Sequence, residues 1–178
     1  MSRISAFISA MLLCLLATPG SAQQSASLPV EFGVDAAVTF FTDPSFTVVS
    51  LPLREVRLGF FATPSVELEP RLGLDATSGG GAHTTDVEFG FGLLYHFTPS
   101  RAETQPYVRP FVQVASRSAS GARSSTATTL GVGLGAKLPI NPRFAIRPEI
   151  NYGHTFENDL VGSGNTIQLL LGVSAFSR

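Results

Sequence analysis

The segment VEFGFGL, residues 87–93, alternates four apolar side chains with Glu88 and two glycines. Successive side chains of a β-strand point to opposite faces, so this period of two places the apolar side chains on one face and Glu88 on the other. The segment is therefore predicted to be a strand with one apolar and one polar face.

The same alternation recurs along the chain, and its breaks fall at clusters of Gly, Pro, Ser and Asn. Eight such segments are predicted, near residues 31–41, 51–61, 66–76, 85–97, 106–117, 126–138, 144–153 and 165–176. Each has about the length, roughly 9–11 residues, that a tilted strand needs to cross a membrane. No helical period of comparable length competes with them.

The connections between these segments alternate in kind. Those at residues 62–65, 98–100 and 139–142 contain proline and are short, whereas those at 42–50, 77–84, 118–125 and 154–164 are mostly longer and polar. Short turns at one rim and longer loops at the other are typical of an up-and-down transmembrane barrel. The sequence therefore predicts an all-β fold, an eight-stranded antiparallel up-and-down transmembrane β-barrel.

Prolines inside the predicted strands argue against this fold, because proline cannot donate to a strand ladder. Pro70, Pro110 and Pro148 each follow a charged residue near the start of a segment. Local bulges near the short-turn rim are expected to accommodate them.

The first 22 residues have the pattern of a cleavable secretory signal. Arg3 precedes an apolar run from Ile4 to Ala17, and small residues follow up to Ala22. The run is too short to remain as a membrane helix, so cleavage is expected after Ala22. Residues 23–178 then form one domain, and the lone cysteine, Cys14, leaves with the signal.

The charged side chains of the eight segments share the polar face almost without exception; only Arg54 has the apolar parity. The predicted polar-face set is Glu31, Asp35, Glu55, Arg57, Glu67, Glu69, Arg71, Asp75, Asp86, Glu88, Arg109, Arg117, Lys137, Arg147 and Glu149.

Alternation alone does not say which face is outside, since a soluble secreted barrel around a small apolar ligand has the same period. Three details favour an apolar exterior. Glycines such as Gly90 and Gly133 on the polar face suit a narrow, crowded interior. The chain that remains after cleavage has ten arginines and one lysine, and guanidinium groups suit confined ion pairs with carboxylates. Aromatic residues near strand ends suit interfacial girdles: Phe40, Phe60, Tyr95, Phe97, Phe144 and Tyr152.

These features resemble the small outer-membrane β-barrel family that includes the barrel domain of outer membrane protein A and the porin-like opacity proteins. The resemblance implies a monomer in the outer membrane of a Gram-negative cell, with a structural or surface-interaction role. Its expected partners are outer-membrane lipid and, during biogenesis, the barrel assembly machinery. The sequence differs from the family pattern in its last residues. Family members finish on an aromatic residue, whereas here Phe176 is followed by Ser177 and Arg178.

Chemistry at the rim is the alternative function, because some barrels of this size resemble lipid A acyl hydrolases or transferases. His154 with Glu149 or Glu157 and Ser163 could supply a base, an orienting group and a nucleophile. The deacylase pattern places serine two residues after its histidine, where this chain has Phe156. The sequence therefore favours a protein that is not an enzyme.

No cofactor or nucleic-acid partner is expected. The three histidines, at 83, 96 and 154, have no ligand-like spacing and are expected in solvated loops or rims. The glycine runs 79–81 and 131–135 do not open a helix after a strand, as a phosphate-binding loop would. Acidic and basic side chains nearly balance, which leaves no basic surface for nucleic acid.

Overall fold

The computed structural model describes residues 29–42, 45–79, 82–119, 124–156 and 163–177. The predicted signal, with Cys14, lies outside these ranges. The described strands are β1 (Val30–Thr42), β2 (Ser45–Thr63), β3 (Val66–Gly79), β4 (Ala82–His96), β5 (Gln105–Ala119), β6 (Ser125–Asn141), β7 (Phe144–Thr155) and β8 (Gly164–Phe176). Within these ranges no helix is long and apolar enough to span a bilayer.

The strands form a closed antiparallel barrel in which each strand pairs with its neighbours in sequence. Pairing of β1 with β8, from Glu31↔Phe176 to Phe41↔Thr166, closes the sheet. The predicted eight-stranded up-and-down barrel is therefore confirmed.

The two rims of the barrel differ in their connections. One carries the tight turns at Pro64–Ser65 and Pro142–Arg143 and is called the turn rim; the opposite one is the far rim. Asn141 shapes the second turn, because its Oδ1 accepts hydrogen bonds from the backbone N–H groups of Arg143 (2.8 Å) and Phe144 (3.1 Å). The connection after β4 is longer than the predicted 98–100 and runs from Phe97 to Thr104.

At the far rim the strands extend beyond the predicted segments. β2 begins at Ser45, and β3 and β4 stay paired up to Gly79↔Ala82. Much of the predicted loops at 42–50 and 77–84 is therefore strand. The alternation in sequence ends before the strands do, because backbone pairing continues to pairs such as Thr77↔Thr84, and threonine favours strands.

The predicted bulges do not explain Pro70, Pro110 and Pro148. Register shifts lie at Asp35/Ala37, Phe61/Thr63 and Pro139/Asn141; Pro52 of β2 lies within the first of them and Pro139 is next to the last. Around the other prolines the register is kept but the ladder to the preceding strand is interrupted.

These interruptions follow one rule, and each is bounded by pairs in a single register. Pro70 of β3 lies between Arg57↔Arg71 and Phe60↔Leu68. Pro110 and Pro148 lie between Gly92↔Phe111 and Tyr95↔Val108, and between Gly135↔Glu149 and Leu138↔Ile146. Losing a few pairs locally accommodates the missing N–H without shifting the strands.

The faces of the barrel are inverted relative to a soluble protein. Outward-facing Phe89 and Leu134 are each 56% exposed, whereas inward-facing Arg57 and Arg109 are 1% and 2% exposed. The six aromatic residues predicted for the girdles all face outward and are exposed. A soluble barrel around an apolar cavity would show the opposite arrangement, so that alternative is wrong.

Candidate functional site

The turn-rim half of the interior is filled by one connected set of buried ion pairs, here called the ion cluster. Its members are contributed by six of the eight strands, from inward positions set by the period of two. The cluster consists of Glu31, Asp35, Glu55, Arg57, Glu67, Glu69, Arg71, Arg109, Lys137, Arg147 and Glu149.

Glu149 of β7 is the central acceptor of the cluster. Its carboxylate lies 2.6 Å from Arg109 Nη2, 2.7 Å from Arg147 Nη2 and 3.3 Å from Arg71 Nη2. The hydroxyl of Tyr107 donates a further hydrogen bond to it. Three guanidinium groups therefore share one carboxylate that is buried from solvent.

Arg57 of β2 forms the second centre, beside β1. Its Nε donates to Asp35 Oδ2 at 2.8 Å, its Nη1 pairs with Glu31, and its Nη2 donates to Ser174 Oγ at 2.9 Å. Gly33 lies between the two acids on β1, and a Cβ there would overlap the guanidinium of Arg57. The glycine thus leaves the space that this side chain occupies.

At the turn rim the cluster ends in Lys137, Glu67 and His96. The Lys137 ammonium lies 2.5 Å from Glu67 and also pairs with Glu31. His96 Nε2 lies 2.8 Å from the same Glu67 oxygen, and the Phe61 ring stacks on the imidazole with centroids 5.6 Å apart. Among the described residues, Glu67 Oε1 and His96 Nδ1 are buried with no protein hydrogen-bond partner.

The sequence predicts that His96 lies in a solvated loop or rim, and this prediction is wrong. The side chain is fully buried because it has the inward parity of β4 and lies beneath Phe61. Tyr107 and Asn151 were also missed, and both are buried partners of the cluster's charged groups. Both have the same inward parity in the sequence as the charged residues of the cluster.

The predicted charges of the far half are separate from the ion cluster. Glu88 pairs with Arg54. Arg117 Nε lies 2.7 Å from Asp86 Oδ1, but the Arg117 side chain is 68% exposed, because this pair is at the open far rim. The side chain of Asp75 lies outside the described part of the structure.

Arg54 reaches the interior despite its apolar parity in the sequence. β2 has extra residues between the pairs Asp35↔Glu55 and Ala37↔Ser50, and this bulge resets the alternation. The Arg54 side chain passes over Gly73, where a Cβ would lie 3.1 Å from Arg54 Nη1. The expectation that Arg54 faces outward is therefore wrong.

Three carboxylates of the cluster, Glu31, Glu67 and Glu69, have oxygens within 4.8 Å of one another. Such a group can hold a metal ion, but here Lys137 and Arg147 already pair with these oxygens. Together with Arg57, which pairs with Glu31, these cationic side chains neutralise the three acids, so the group is part of the ion cluster.

The residues considered for acyl chemistry are not brought together. His154 lies on the outward face, where its Nδ1 is 2.8 Å from Asn165 Oδ1, and Tyr152 donates to the same oxygen at 3.0 Å. Glu149 faces the interior on the opposite side of β7, so it does not orient His154. Ser163 is exposed, and Glu157 lies outside the described residues.

Comparison with known proteins gives the same architecture. The sequence matches the family model described as outer membrane protein beta-barrel domain over residues 10–174. No curated protein matches the sequence.

Three solved structures share the fold. The N-terminal β-barrel domain of Pseudomonas aeruginosa OprF is 18% identical, with 84% of this chain and 97% of that chain covered and a TM-score of 0.57. Neisserial surface protein A is 16% identical (83% and 95% covered, TM-score 0.58). Ail, the attachment invasion locus protein of Yersinia pestis, is 13% identical (84% and 97% covered, TM-score 0.50). At these identities the likeness shows the fold.

Proposed function

The chain belongs to the outer membrane protein β-barrel domain family, and from that premise we propose that it is a monomeric integral outer-membrane protein with a structural or surface-interaction role. In this proposal it is neither an enzyme nor an open pore. The observation that carries the proposal is the interior, which is filled by ion pairs while the exterior is apolar.

Outer-membrane lipid is the proposed surrounding of the exposed apolar face. Leu74, Leu134 and Leu171 are 69%, 56% and 60% exposed, which water would oppose and hydrocarbon would favour. The sheet is closed, so no strand edge is left for pairing with a second copy. A monomer inserted by the barrel assembly machinery fits both observations.

The ion cluster is proposed to act as a structural plug. Arg57, Arg109 and Arg147 span the interior and each is at most 2% exposed, so the turn-rim half has no room for a diffusing solute. Separating these pairs would leave uncompensated buried charges, which costs several kcal/mol each. The cluster therefore holds the wall rigid and leaves the extended hairpins of the far rim to meet the environment.

A surface role is also in keeping with the names of two structural neighbours, a surface protein and an attachment invasion locus protein. Those names describe the neighbours. For this chain the surface role depends on which rim faces outward, and the proposal assigns the far rim to the cell exterior.

Single-cysteine labelling in intact cells tests this orientation, because Cys14 lies in the segment proposed to be cleaved and the remaining chain has no thiol. Ser124→Cys is placed at the far rim, and Ala102→Cys, its matched control, at the turn rim; both positions are exposed. A membrane-impermeant maleimide should label Ser124→Cys in intact cells and Ala102→Cys only after lysis. The reverse pattern, or no labelling of either before lysis, would contradict the proposal.

Planar-bilayer recording tests the plug. The folded protein should show no stable large conductance, and its unheated form should migrate differently from the boiled form on a gel. A steady, wide, water-filled conductance would overturn the structural role proposed for the ion cluster.

A further inference from the structure

The far half of the interior contains a cavity of about 320 Å³ that opens at the far rim. It is separate from the ion cluster, which closes it on the turn-rim side. Ligand pockets in proteins begin near this size, about 300 Å³. At about 30 Å³ for each water, the cavity holds roughly ten waters, which a small ligand would displace.

The charged groups that line the cavity are already neutralised by one another. Arg54 pairs with Glu88, and Arg117 binds Asp86 through two hydrogen bonds of 2.7 and 3.0 Å. A charged ligand would have to break one of these pairs to gain a counterion. The cavity therefore favours an uncharged ligand over an ion.

The remaining polar wall consists of amides and hydroxyls. Asn151 Nδ2 donates to Gln168 Oε1 at 3.2 Å, and Gln168 Nε2 donates to Thr39 Oγ1 at 3.0 Å. Thr129 and Thr155 share a hydrogen bond of 2.8 Å. Each amide and hydroxyl has more donor and acceptor sites than these bonds use, so further hydrogen bonds can point into the cavity.

Gln113 is the clearest unused group of the wall. Its side chain lines the cavity and is partly buried, and no hydrogen bond joins it to any residue in the described ranges. A primary amide offers two donors and one acceptor at a fixed spacing, which matches neighbouring hydroxyl groups that both donate and accept.

Phe111 supplies an apolar surface beside these polar groups. The guanidinium carbon of Arg109 lies 4.5 Å from the centroid of the ring, and the ring rests against Gly131, where a Cβ would overlap it. The ring is thus held in place from the ion cluster and from β6. Phe41 also lines the cavity. A wall that combines uncharged hydrogen-bonding groups with aromatic rings suits a ligand that has both hydroxyl groups and C–H surfaces.

We propose that this cavity binds a small neutral polyhydroxylated molecule of the saccharide class. An apolar ligand is disfavoured because it would strip water from Gln113, Asn151 and Gln168 without replacing their hydrogen bonds. An ion is disfavoured because both ion pairs of the wall are complete. The proposal adds a ligand to the barrel and does not depend on which rim faces the cell exterior.

Binding can be measured with trehalose and D-glucose as probes, by saturation-transfer difference NMR on the folded barrel. The detergent must have no sugar headgroup, so lauryldimethylamine oxide replaces glucoside and maltoside detergents. We expect saturable binding in the millimolar range. Gln113→Leu should weaken it about 3- to 10-fold, the equivalent of one or two hydrogen bonds.

Thr129→Val is a second lining variant, and Thr128→Val is its matched control, since Thr128 is the neighbouring residue on the outward face of β6. Unheated gel mobility verifies that each variant is folded. Thr129→Val should weaken binding and Thr128→Val should leave it unchanged. Absence of saturable binding to the wild-type barrel, or equal binding in all three variants, would overturn the proposal.

Charged analogues separate saccharide recognition from ion binding. Glucosamine and glucose 6-phosphate should bind more weakly than D-glucose because each brings an unpaired charge to a wall that is already neutral. Tighter binding of either one, undiminished by Gln113→Leu, would identify an ion site and refute the assignment.

Discussion

Replacing Glu149 by glutamine keeps the size of the side chain but removes the negative charge that three guanidinium groups share. Arg71 and Arg147 retain Glu69 as a partner. For Arg109, Glu149 is the carboxylate partner that the structure shows, at 2.6 Å, and Arg109 is only 2% exposed. The variant therefore leaves a buried guanidinium without its counterion.

Removing one partner of a buried ion pair costs about 3–5 kcal/mol, and Glu149→Gln is expected to lower the free energy of unfolding by this amount. With a urea dependence of about 2 kcal/mol per M, the midpoint should fall by about 1.5–2.5 M. The assay is urea unfolding of the barrel in lipid vesicles, read as the fraction that keeps folded mobility on an unheated gel.

Glu103→Gln is the matched control, because it makes the same chemical change at an exposed position of the turn rim. Its effect should stay within about 0.5 kcal/mol. Adding Arg109→Met to Glu149→Gln should recover part of the loss, since the unpaired charge is then gone. Equal midpoints for Glu149→Gln and Glu103→Gln would refute the reasoning that the ion cluster stabilises the barrel.

Three further substitutions test other parts of the structure with the same unfolding assay. Asp86→Asn breaks the exposed far-rim pair and should cost less than about 1 kcal/mol, so a loss as large as that of Glu149→Gln would contradict the difference in burial. Gly135→Ala should cost about 1–3 kcal/mol, because the new Cβ would lie 2.8 Å from the Pro148 carbonyl oxygen, whereas at Gly90 its nearest neighbour is 3.6 Å away and Ala should be tolerated. Leu134→Arg, on the outward face in the middle of β6, should cost about 2–4 kcal/mol in vesicles against about 0–1 for Thr128→Arg nearer the far rim; equal costs would show that Leu134 does not face hydrocarbon.

The strand count and the two faces could be read from the sequence because the period of two is local. Glu88 and Phe89 differ by one position, and that step alone places them on opposite faces. The inverted arrangement also followed from the abundance of arginine over lysine. Neither conclusion needs knowledge of which strand pairs with which.

The wrong predictions concern two kinds of position. In one, the alternation of inward and outward residues is broken; in the other, the inward residue carries no fixed charge. The β2 bulge that turns Arg54 inward depends on pairing with β1, and its mark in the sequence is Pro52, a residue that strands accept at bulges. His96 and Tyr107 follow the inward parity, but an aromatic residue at a strand end fits a rim as well as an interior. The extension of the strands at the far rim is not predicted, because backbone pairing continues beyond the residues that alternate in hydrophobicity.

Which acid meets which base depends on the stagger of neighbouring strands, and the sequence does not state it. Glu69 of β3 contacts Arg147 of β7 across the interior, although the two are far apart in the chain. Such pairs become predictable only when the register of the closed sheet is known.

The interrupted ladders at Pro70, Pro110 and Pro148 all fall between strands joined at the turn rim. By contrast β3–β4, β5–β6 and β7–β8, joined at the far rim, are paired without a break. β8 and β1 are also paired without a break, and β1 pairs with β2 on either side of one bulge. The wall therefore consists of three stiffer units, β3–β4, β5–β6 and β7–β8–β1–β2, connected by more compliant seams. Distortion of the circular cross-section under lateral pressure should concentrate at these seams, and amide protons beside them should exchange with deuterium sooner than those within a hairpin.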